Sequence, residues 1–181
     1  MTAELPVLPA LKSLGDLSKA KPVIVIDTRE QTPLTFTRLQ SVSGTLQSGD
    51  YSFLGGEESF AVERKSIADL AGCCTGDNRE RFERELHRLR GFRFKRLLIV
   101  GDEAEVLSGH YRSNIKPKAV LNTLSAFEAR YDLPIVWTDS PANAALLVER
   151  WAWWFSREIV QGANELLRGS QMAEDCANKK P

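Results

Sequence analysis

Charged side chains that could do metal-dependent chemistry stand together in the sequence FAVERKSIADL, residues 60–70. If this segment begins as a strand, its side chains alternate between the two faces of a sheet, so Glu63 and Lys65 share one face and Arg64 lies on the other. A carboxylate can bind Mg²⁺, a hard cation that prefers oxygen ligands. A neighbouring lysine can position a water molecule, help to deprotonate it, or offset phosphate charge in a transition state. The alternative is a solvated ion pair worth less than about 1 kcal/mol.

Two further carboxylates stand where predicted strands begin or end. Asp50 follows Gly49 at a turn into a strand, and Asp27 ends the apolar run VIVID at 23–27. Residues of functional sites are often placed where the chain leaves a rigid element. Taken alone, each has a simpler explanation, because aspartate is common in turns and can simply end a strand.

Together these residues resemble a known family. Gly49 and Asp50, with the Glu-Arg-Lys-x-x-x-Asp pattern of residues 63–69, resemble the signature of the XPF-type structure-specific nucleases, and VIVIDTRE at 23–30 resembles the strand that opens their nuclease domain. The resemblance covers roughly residues 22–165. That family is similar in fold to the restriction-endonuclease-like, or PD-(D/E)XK, nucleases. The resemblance implies Mg²⁺-dependent hydrolysis of a DNA phosphodiester, typically near a branch or flap.

The resemblance also implies a role for each matching residue. Asp50 and Glu63 would bind the metal directly, and Asp27 would add a further acidic contact to the metal or to its water. Lys65 would be the catalytic lysine. The expected cofactor is therefore Mg²⁺, for which Mn²⁺ can substitute, and no small-molecule cofactor is expected.

Four neighbouring residues are expected to support the site without binding the metal: Arg29, Glu30, Arg64 and Asp69. Ser66 and Asp69 have the spacing of a helix capping box, which favours a structural role for Asp69. Arg64 points away from Glu63 on the strand, and an ion pair with either Asp69 or Glu30 is expected. For Arg29 and Glu30, support of the site and support of the fold remain equal alternatives.

Hydrophobic periodicity predicts the elements that position these residues. Strands are expected at 23–27, 59–65, 96–101 and 133–138, with short strands between 28 and 56, and helices at 66–74, 77–91, 102–108, 116–132 and 140–169. Asp77 is the expected N-cap of the second helix. This order predicts an α/β fold with a mixed central sheet flanked by helices on both faces, which agrees with the restriction-endonuclease-like fold that the resemblance implies.

The chain is expected to contain one domain with two appendages. Residues 1–21 contain Pro6 and Pro9 and are predicted to be a flexible arm. Residues 22–168 form the predicted XPF-type nuclease domain. The polar residues 169–181 are predicted to be a disordered tail.

The chain has no net charge, so a nucleic-acid partner is not indicated by total charge. Ten lysines and arginines but only five acids lie between Arg64 and Arg96. Four arginines of the predicted second helix are candidate DNA contacts: Arg79, Arg81, Arg84 and Arg88. The last three form a stripe at helical spacing, separate from the apolar face, which suits contacts with phosphates. A solvated helix face with Glu–Arg pairs is the alternative.

The composition limits which cellular compartment and which partners are expected. The three cysteines lack zinc-ligand spacing and favour reduced thiols. The sequence shows neither a secretory signal nor a run of about 20 apolar residues. We expect a soluble cytoplasmic protein, nuclear if eukaryotic, with no membrane partner. The expected partner is branched DNA, and a homodimer is expected through apolar surface around WAWWF at 151–155. Two alternatives remain: a nuclease of the same fold acting on linear or single-stranded DNA, and a catalytically silent DNA-binding subunit.

Overall fold

A computed structural model describes residues 20–178, and their side chains up to residue 172. The predicted arm at 1–21 therefore lies outside the described residues apart from its last two. The strands are β1 (Ile24–Asp27), β2 (Ser41–Gly44), β3 (Tyr51–Phe53), β4 (Phe60–Ser66), β5 (Phe94–Val100) and β6 (Ile135–Thr138). They form one sheet in the order β2-β1-β3-β4-β5-β6, in which β3 is antiparallel to both of its neighbours and the other pairs are parallel. The predicted mixed sheet is confirmed.

Helices cover both faces of this sheet, as predicted. They are α1 (Ile67–Gly72), α2 (Gly76–Leu89), α3 (Glu103–Ser108), α4 (Pro117–Tyr131) and α5 (Pro141–Asn178). The apolar core on one face is formed with α1 to α4 and includes Ala61. The core on the other face is formed with α5 and includes Phe60 and Val62. The central strand β4 is therefore enclosed on both sides, which fixes the direction in which each of its polar residues can point.

Two helix boundaries differ from the prediction. The N-cap of α2 is Thr75, and the helix begins at Gly76, whose φ of +58° is accessible to glycine without steric cost. Asp77 is not the cap and lies in the first turn, where its negative charge interacts favourably with the helix dipole. Helix α5 continues through Gly169 to Asn178. A single interior glycine costs about 1 kcal/mol, which is too little to end a helix flanked by good helix formers.

Helix α5 packs on the sheet through three alanines, a valine and a phenylalanine. Ala144, Ala145, Val148, Ala152 and Phe155 are buried against it. Trp153 and Trp154, which lie within the WAWWF segment, are exposed to solvent. Among the described residues, no helix combines the length and the apolar character needed to cross a membrane.

Candidate active site

Three neighbouring strands bring together Asp27 at the end of β1, Asp50 just before β3 and Glu63 in β4. The Asp27 amide donates a hydrogen bond to the Asp50 carbonyl at 2.9 Å, and the Asp50 amide donates to the Val62 carbonyl at 2.9 Å. Because β3 runs antiparallel to β1 and β4, Tyr51 at its start pairs both with Ile26 near the end of β1 and with Val62, the residue before Glu63 in β4. Strand pairing thus brings together acids that are far apart in the sequence.

Gly49 permits the close approach of β3 to β4. Its φ is +80°, a left-handed conformation that favours glycine, and a Cβ atom there would lie 3.2 Å from both Ala61 Cβ and the Val62 carbonyl oxygen. The turn places Asp50 so that its Oδ2 accepts a hydrogen bond from the Arg64 amide at 2.7 Å. The Gly-Asp pair therefore has a structural reason, which is that only glycine fits beside β4 at this point.

Glu63 and Lys65 lie on the same face of β4, as strand alternation predicts. Only 1% of Glu63 is exposed, and its Oε1 accepts a hydrogen bond from Lys65 Nζ. Its Oε2 is buried with no hydrogen-bond partner among the described residues. The Lys65 ammonium also lies 5.1 Å from the centre of the Phe82 ring, which belongs to α2. An unpaired buried carboxylate oxygen is costly, and a bound cation would satisfy it.

Burial and neighbouring charges shift the pKa values of Asp50, Glu63 and Lys65. Burial raises the pKa of Asp50 to about 6, although Lys65 and the Arg64 amide oppose the rise. Burial and the nearby Asp50 charge raise the pKa of Glu63 well above its ordinary value. Burial lowers the pKa of Lys65, but the charges of Glu63 and Asp50 outweigh it and raise that pKa overall. Two carboxylates with one ammonium leave the site short of positive charge.

Asp27 has a different environment from the other two acids. Its Oδ1 accepts from the Arg29 amide at 2.9 Å and from Arg29 Nε at 2.6 Å, and its Oδ2 accepts from the Leu46 amide at 2.7 Å and from Arg29 Nη2 at 3.1 Å. Burial raises the pKa of Asp27, but these hydrogen bonds outweigh it and lower the pKa below its ordinary value. Both oxygens are thus already engaged in holding the loop that contains Leu46, and the predicted metal contact of Asp27 gains no support from this geometry.

Arg64 braces the opposite face of β4. Its Nη2 donates to Glu30 Oε1 at 2.9 Å, to the Thr32 carbonyl at 2.8 Å and to Thr32 Oγ1 at 2.6 Å. The ion pair is therefore with Glu30, one of the two expected partners. Asp69, the other, is engaged at the N-terminus of α1, where its amide donates to Ser66 Oγ at 3.2 Å and its Oδ2 accepts from the Ser66 hydroxyl at 2.7 Å. The predicted capping role of Asp69 is confirmed.

The residues present fit a divalent cation in part. Among the described residues, no three His, Cys, Asp or Glu side chains already form a complete metal-binding cluster. The unpartnered Oε2 of Glu63 and the neighbouring Asp50 carboxylate nevertheless offer buried oxygen atoms of the kind that a hard cation binds. Mg²⁺ commonly binds through one or two carboxylates and retains water, so Asp50 and Glu63 are a sufficient protein contribution.

Helix α2 adds residues to the site that sequence reasoning did not identify. Phe82 packs against the Lys65 ammonium, and Ser48, which is buried beside Gly49, accepts a hydrogen bond from Arg88 Nε at 3.0 Å. The charge of Glu85 acts on both Asp50 and Glu63. Helical spacing groups these α2 positions on one side, but the sequence alone does not show that this side faces the site.

The four candidate DNA-binding arginines divide into two groups. Arg81, Arg84 and Arg88 have exposed side chains, and Arg88 reaches the turn before Asp50. Arg79 instead donates from Nε to Glu83 at 2.9 Å, and its guanidinium lies 5.5 Å from the centre of the Phe127 ring on α4. Arg79 thus packs between two helices, apart from the predicted stripe.

Comparison with known proteins agrees with this geometry. The ERCC4 domain family model matches residues 26–150, which include β1 to β6 except for the first residues of β1. The chain belongs to the ERCC4 domain family. This membership confirms the resemblance to the XPF-type nucleases, whose signature residues lie in the site described above. A search of curated proteins found no match.

Solved structures show the same fold as this ERCC4 domain. XPF from Aeropyrum pernix is 22% identical with a TM-score of 0.58, and the match covers 72% of this chain and 60% of that chain. XPF from Aeropyrum pernix in complex with DNA is 21% identical with a TM-score of 0.59, covering 76% of this chain and 66% of that chain. The ERCC4 domain therefore spans about two thirds or less of these solved chains.

Proposed function

We propose that this ERCC4 domain is a Mg²⁺-dependent DNA endonuclease. The observation that carries the proposal is the buried carboxylate of Glu63, whose Oε2 has no partner in the described structure although Asp50 and Lys65 stand beside it. Burying an unpaired charged atom destabilises a protein, and at Glu63 this atom belongs to a carboxylate that has a second buried acid beside it. A site that must bind a cation has a reason to leave one oxygen available.

In the proposed mechanism, Asp50 and Glu63 bind the cation and Lys65 acts as a cation itself. When bound, Mg²⁺ supplies a Lewis acid that activates water and stabilises the charge on the phosphate. Because its pKa is raised, Lys65 remains protonated in the metal-free protein, so it is suited to donate hydrogen bonds to the phosphate or to the attacking water rather than to remove a proton. Arg64 and Gly49 hold the two strands that position these side chains.

We also propose branched DNA as the preferred substrate. The support comes from the signature shared with structure-specific nucleases and from the similar fold of an XPF that is described in complex with DNA. The exposed arginines Arg81, Arg84 and Arg88 lie on the helix that borders the site and would contact the phosphates of a duplex. Magnesium as the natural cofactor belongs to the same proposal, and Mn²⁺ is expected to replace it.

A panel of labelled DNA substrates tests this function. Fork, flap, linear duplex and single-stranded DNA should be incubated with the protein in Mg²⁺, in Mn²⁺ and in chelator. We expect cleavage of the fork and flap with either metal and none in chelator. If linear or single-stranded DNA is cut as fast as the fork and flap, branched DNA is not the preferred substrate. Binding without cleavage of any substrate would favour a catalytically silent subunit.

We further propose that the protein forms a homodimer through α5. Six large apolar side chains of this helix are well exposed among the described residues: Trp153, Trp154, Ile159, Leu166, Leu167 and Met172. Exposed apolar patches on a folded domain commonly mark an interface. Light scattering should give twice the mass of the chain, and a monomer at all concentrations would exclude the dimer.

A further inference from the structure

Helix α2 directs Glu85 towards the site. Phe82 lies three residues before Glu85, and the centre of its ring is 5.1 Å from Lys65 Nζ. Arg88 lies three residues after Glu85, and its Nε donates a hydrogen bond to Ser48 Oγ at 3.0 Å. At 3.6 residues per turn, positions 82, 85 and 88 span an arc of about 120° on the helix. Glu85 therefore lies between two side chains that both contact the site, on the same side of α2.

The electrostatic surroundings of the site place Glu85 in the same position. Its charge contributes to raising the pKa of Asp50, of Glu63 and of Cys73, and it also raises that of Arg29. These groups lie in the turn before β3, on β4, directly after α1 and in the loop after β1, which agrees with a position of Glu85 close to all four. Glu85 is half-buried, and within the described side chains it forms neither a hydrogen bond nor a salt bridge.

We propose that Glu85 is a positioning residue of the metal site, a third carboxylate that accepts hydrogen bonds from the water accompanying the cation held by Asp50 and Glu63. This inference rests on the proposed function. Mg²⁺ keeps several of its waters when a protein binds it, and those waters need acceptors at the mouth of the site. A carboxylate on the neighbouring helix supplies such an acceptor and adds negative charge that favours a divalent cation.

A purely structural role for Glu85 would have different consequences. Glutamate on a helix surface commonly pairs with arginine three or four residues away, and Arg81 and Arg88 stand at those spacings. Removal of such a pair would lower the stability of the protein whether or not metal is present. In contrast, a carboxylate that repels Asp50 and Glu63 destabilises the metal-free protein, and its neutralisation would raise that stability.

The test measures cation binding in the absence of DNA. Wild type, Glu85→Gln, Glu85→Asp and the control Glu80→Gln, an exposed acid on the opposite side of α2, should be titrated with MnCl₂ by calorimetry and with MgCl₂ by thermal shift. Glu85→Gln should raise the dissociation constant roughly tenfold, while Glu85→Asp should restore most of the affinity and Glu80→Gln should match wild type. In chelator at pH 8, Glu85→Gln should melt at a higher temperature than wild type.

The outcomes separate this inference from the proposed function. If wild type binds neither cation, both the proposed function and the role of Glu85 are wrong. If wild type binds and Glu85→Gln binds equally well, only the role of Glu85 is overturned. The same holds if Glu85→Gln and Glu80→Gln weaken binding to the same extent, or if Glu85→Gln melts at a lower temperature than wild type in chelator, because the side chain would then be structural.

Discussion

Replacing Asp50 with asparagine is expected to stabilise the metal-free protein at neutral pH, although it removes a residue of the proposed active site. Burial raises the pKa of Asp50 to about 6, from an ordinary value of 3.8. The folded protein therefore disfavours the ionised carboxylate. Asparagine has nearly the same shape and can still accept the hydrogen bond that the Arg64 amide donates to Asp50 at 2.7 Å.

The size of the effect follows from the shift of this pKa. One pKa unit corresponds to about 1.4 kcal/mol, so the free energy of unfolding of Asp50→Asn would exceed that of wild type by about 3 kcal/mol if the whole shift counted. Partial solvent exposure of Asp50 reduces this to about 2 kcal/mol, which raises the melting temperature by about 4 to 8 °C in a domain of this size. Below pH 3.8 the Asp50 carboxyl group is protonated in both the folded and the unfolded chain. As the pH rises from 3.8 through about 6, the wild type loses stability, whereas Asp50→Asn does not.

Thermal denaturation in chelator at pH 4 and pH 8 measures this difference. The two proteins should melt at similar temperatures at pH 4, and Asp50→Asn should melt higher at pH 8. Asp27→Asn is a matched control of opposite sign, since the hydrogen bonds from Arg29 and Leu46 lower the pKa of Asp27 and the charge stabilises the fold above that pKa. Asp27→Asn should therefore melt lower than wild type at pH 8. An Asp50→Asn protein that melts lower than wild type at pH 8 would refute the reasoning.

Two other substitutions test separate parts of the site. Lys65→Ala should lower the maximal cleavage rate by at least about 100-fold, with little change in DNA affinity, and single-turnover kinetics with a filter-binding assay would separate these quantities; an unchanged rate would exclude Lys65 from the chemistry. Arg84→Ala should weaken DNA binding and reduce the slope of affinity against salt concentration by about one. Arg79→Ala should leave that slope unchanged and lower the melting temperature, because Arg79 packs on Phe127.

Local patterns in the sequence predicted the parts of the site that depend on one element. Strand alternation placed Glu63 and Lys65 on the same face, and the capping-box spacing placed Asp69 at the start of α1. In both cases the interacting residues are at most three apart, so local geometry determines the contact. The pairing of Asp50 with β4 involves strands joined by a turn, and the shared Gly-Asp signature indicated it in advance.

Contacts between distant elements could not be derived in the same way. The sequence left Arg64 with two candidate partners, and the choice of Glu30 depends on how the loop after β1 packs on β4. Asp27 and Asp50 look equivalent as acids at strand ends, yet Arg29 and the Leu46 amide engage both oxygens of Asp27. Glu85 was not identified because the helical period gives its spacing but not the side of α2 that faces the sheet.

The most direct test of the proposed active site is cleavage of a labelled DNA fork in Mg²⁺ by wild type, by Glu63→Gln and by the control Glu58→Gln. Glu58 is an exposed acid shortly before β4, whereas Glu63 is buried with its Oε2 unpartnered in the described structure. Wild type and Glu58→Gln should cut the fork at similar rates, and Glu63→Gln should remain folded, bind the fork and leave it uncut. Cleavage by Glu63→Gln at the wild-type rate would contradict a metal-dependent site built on this carboxylate.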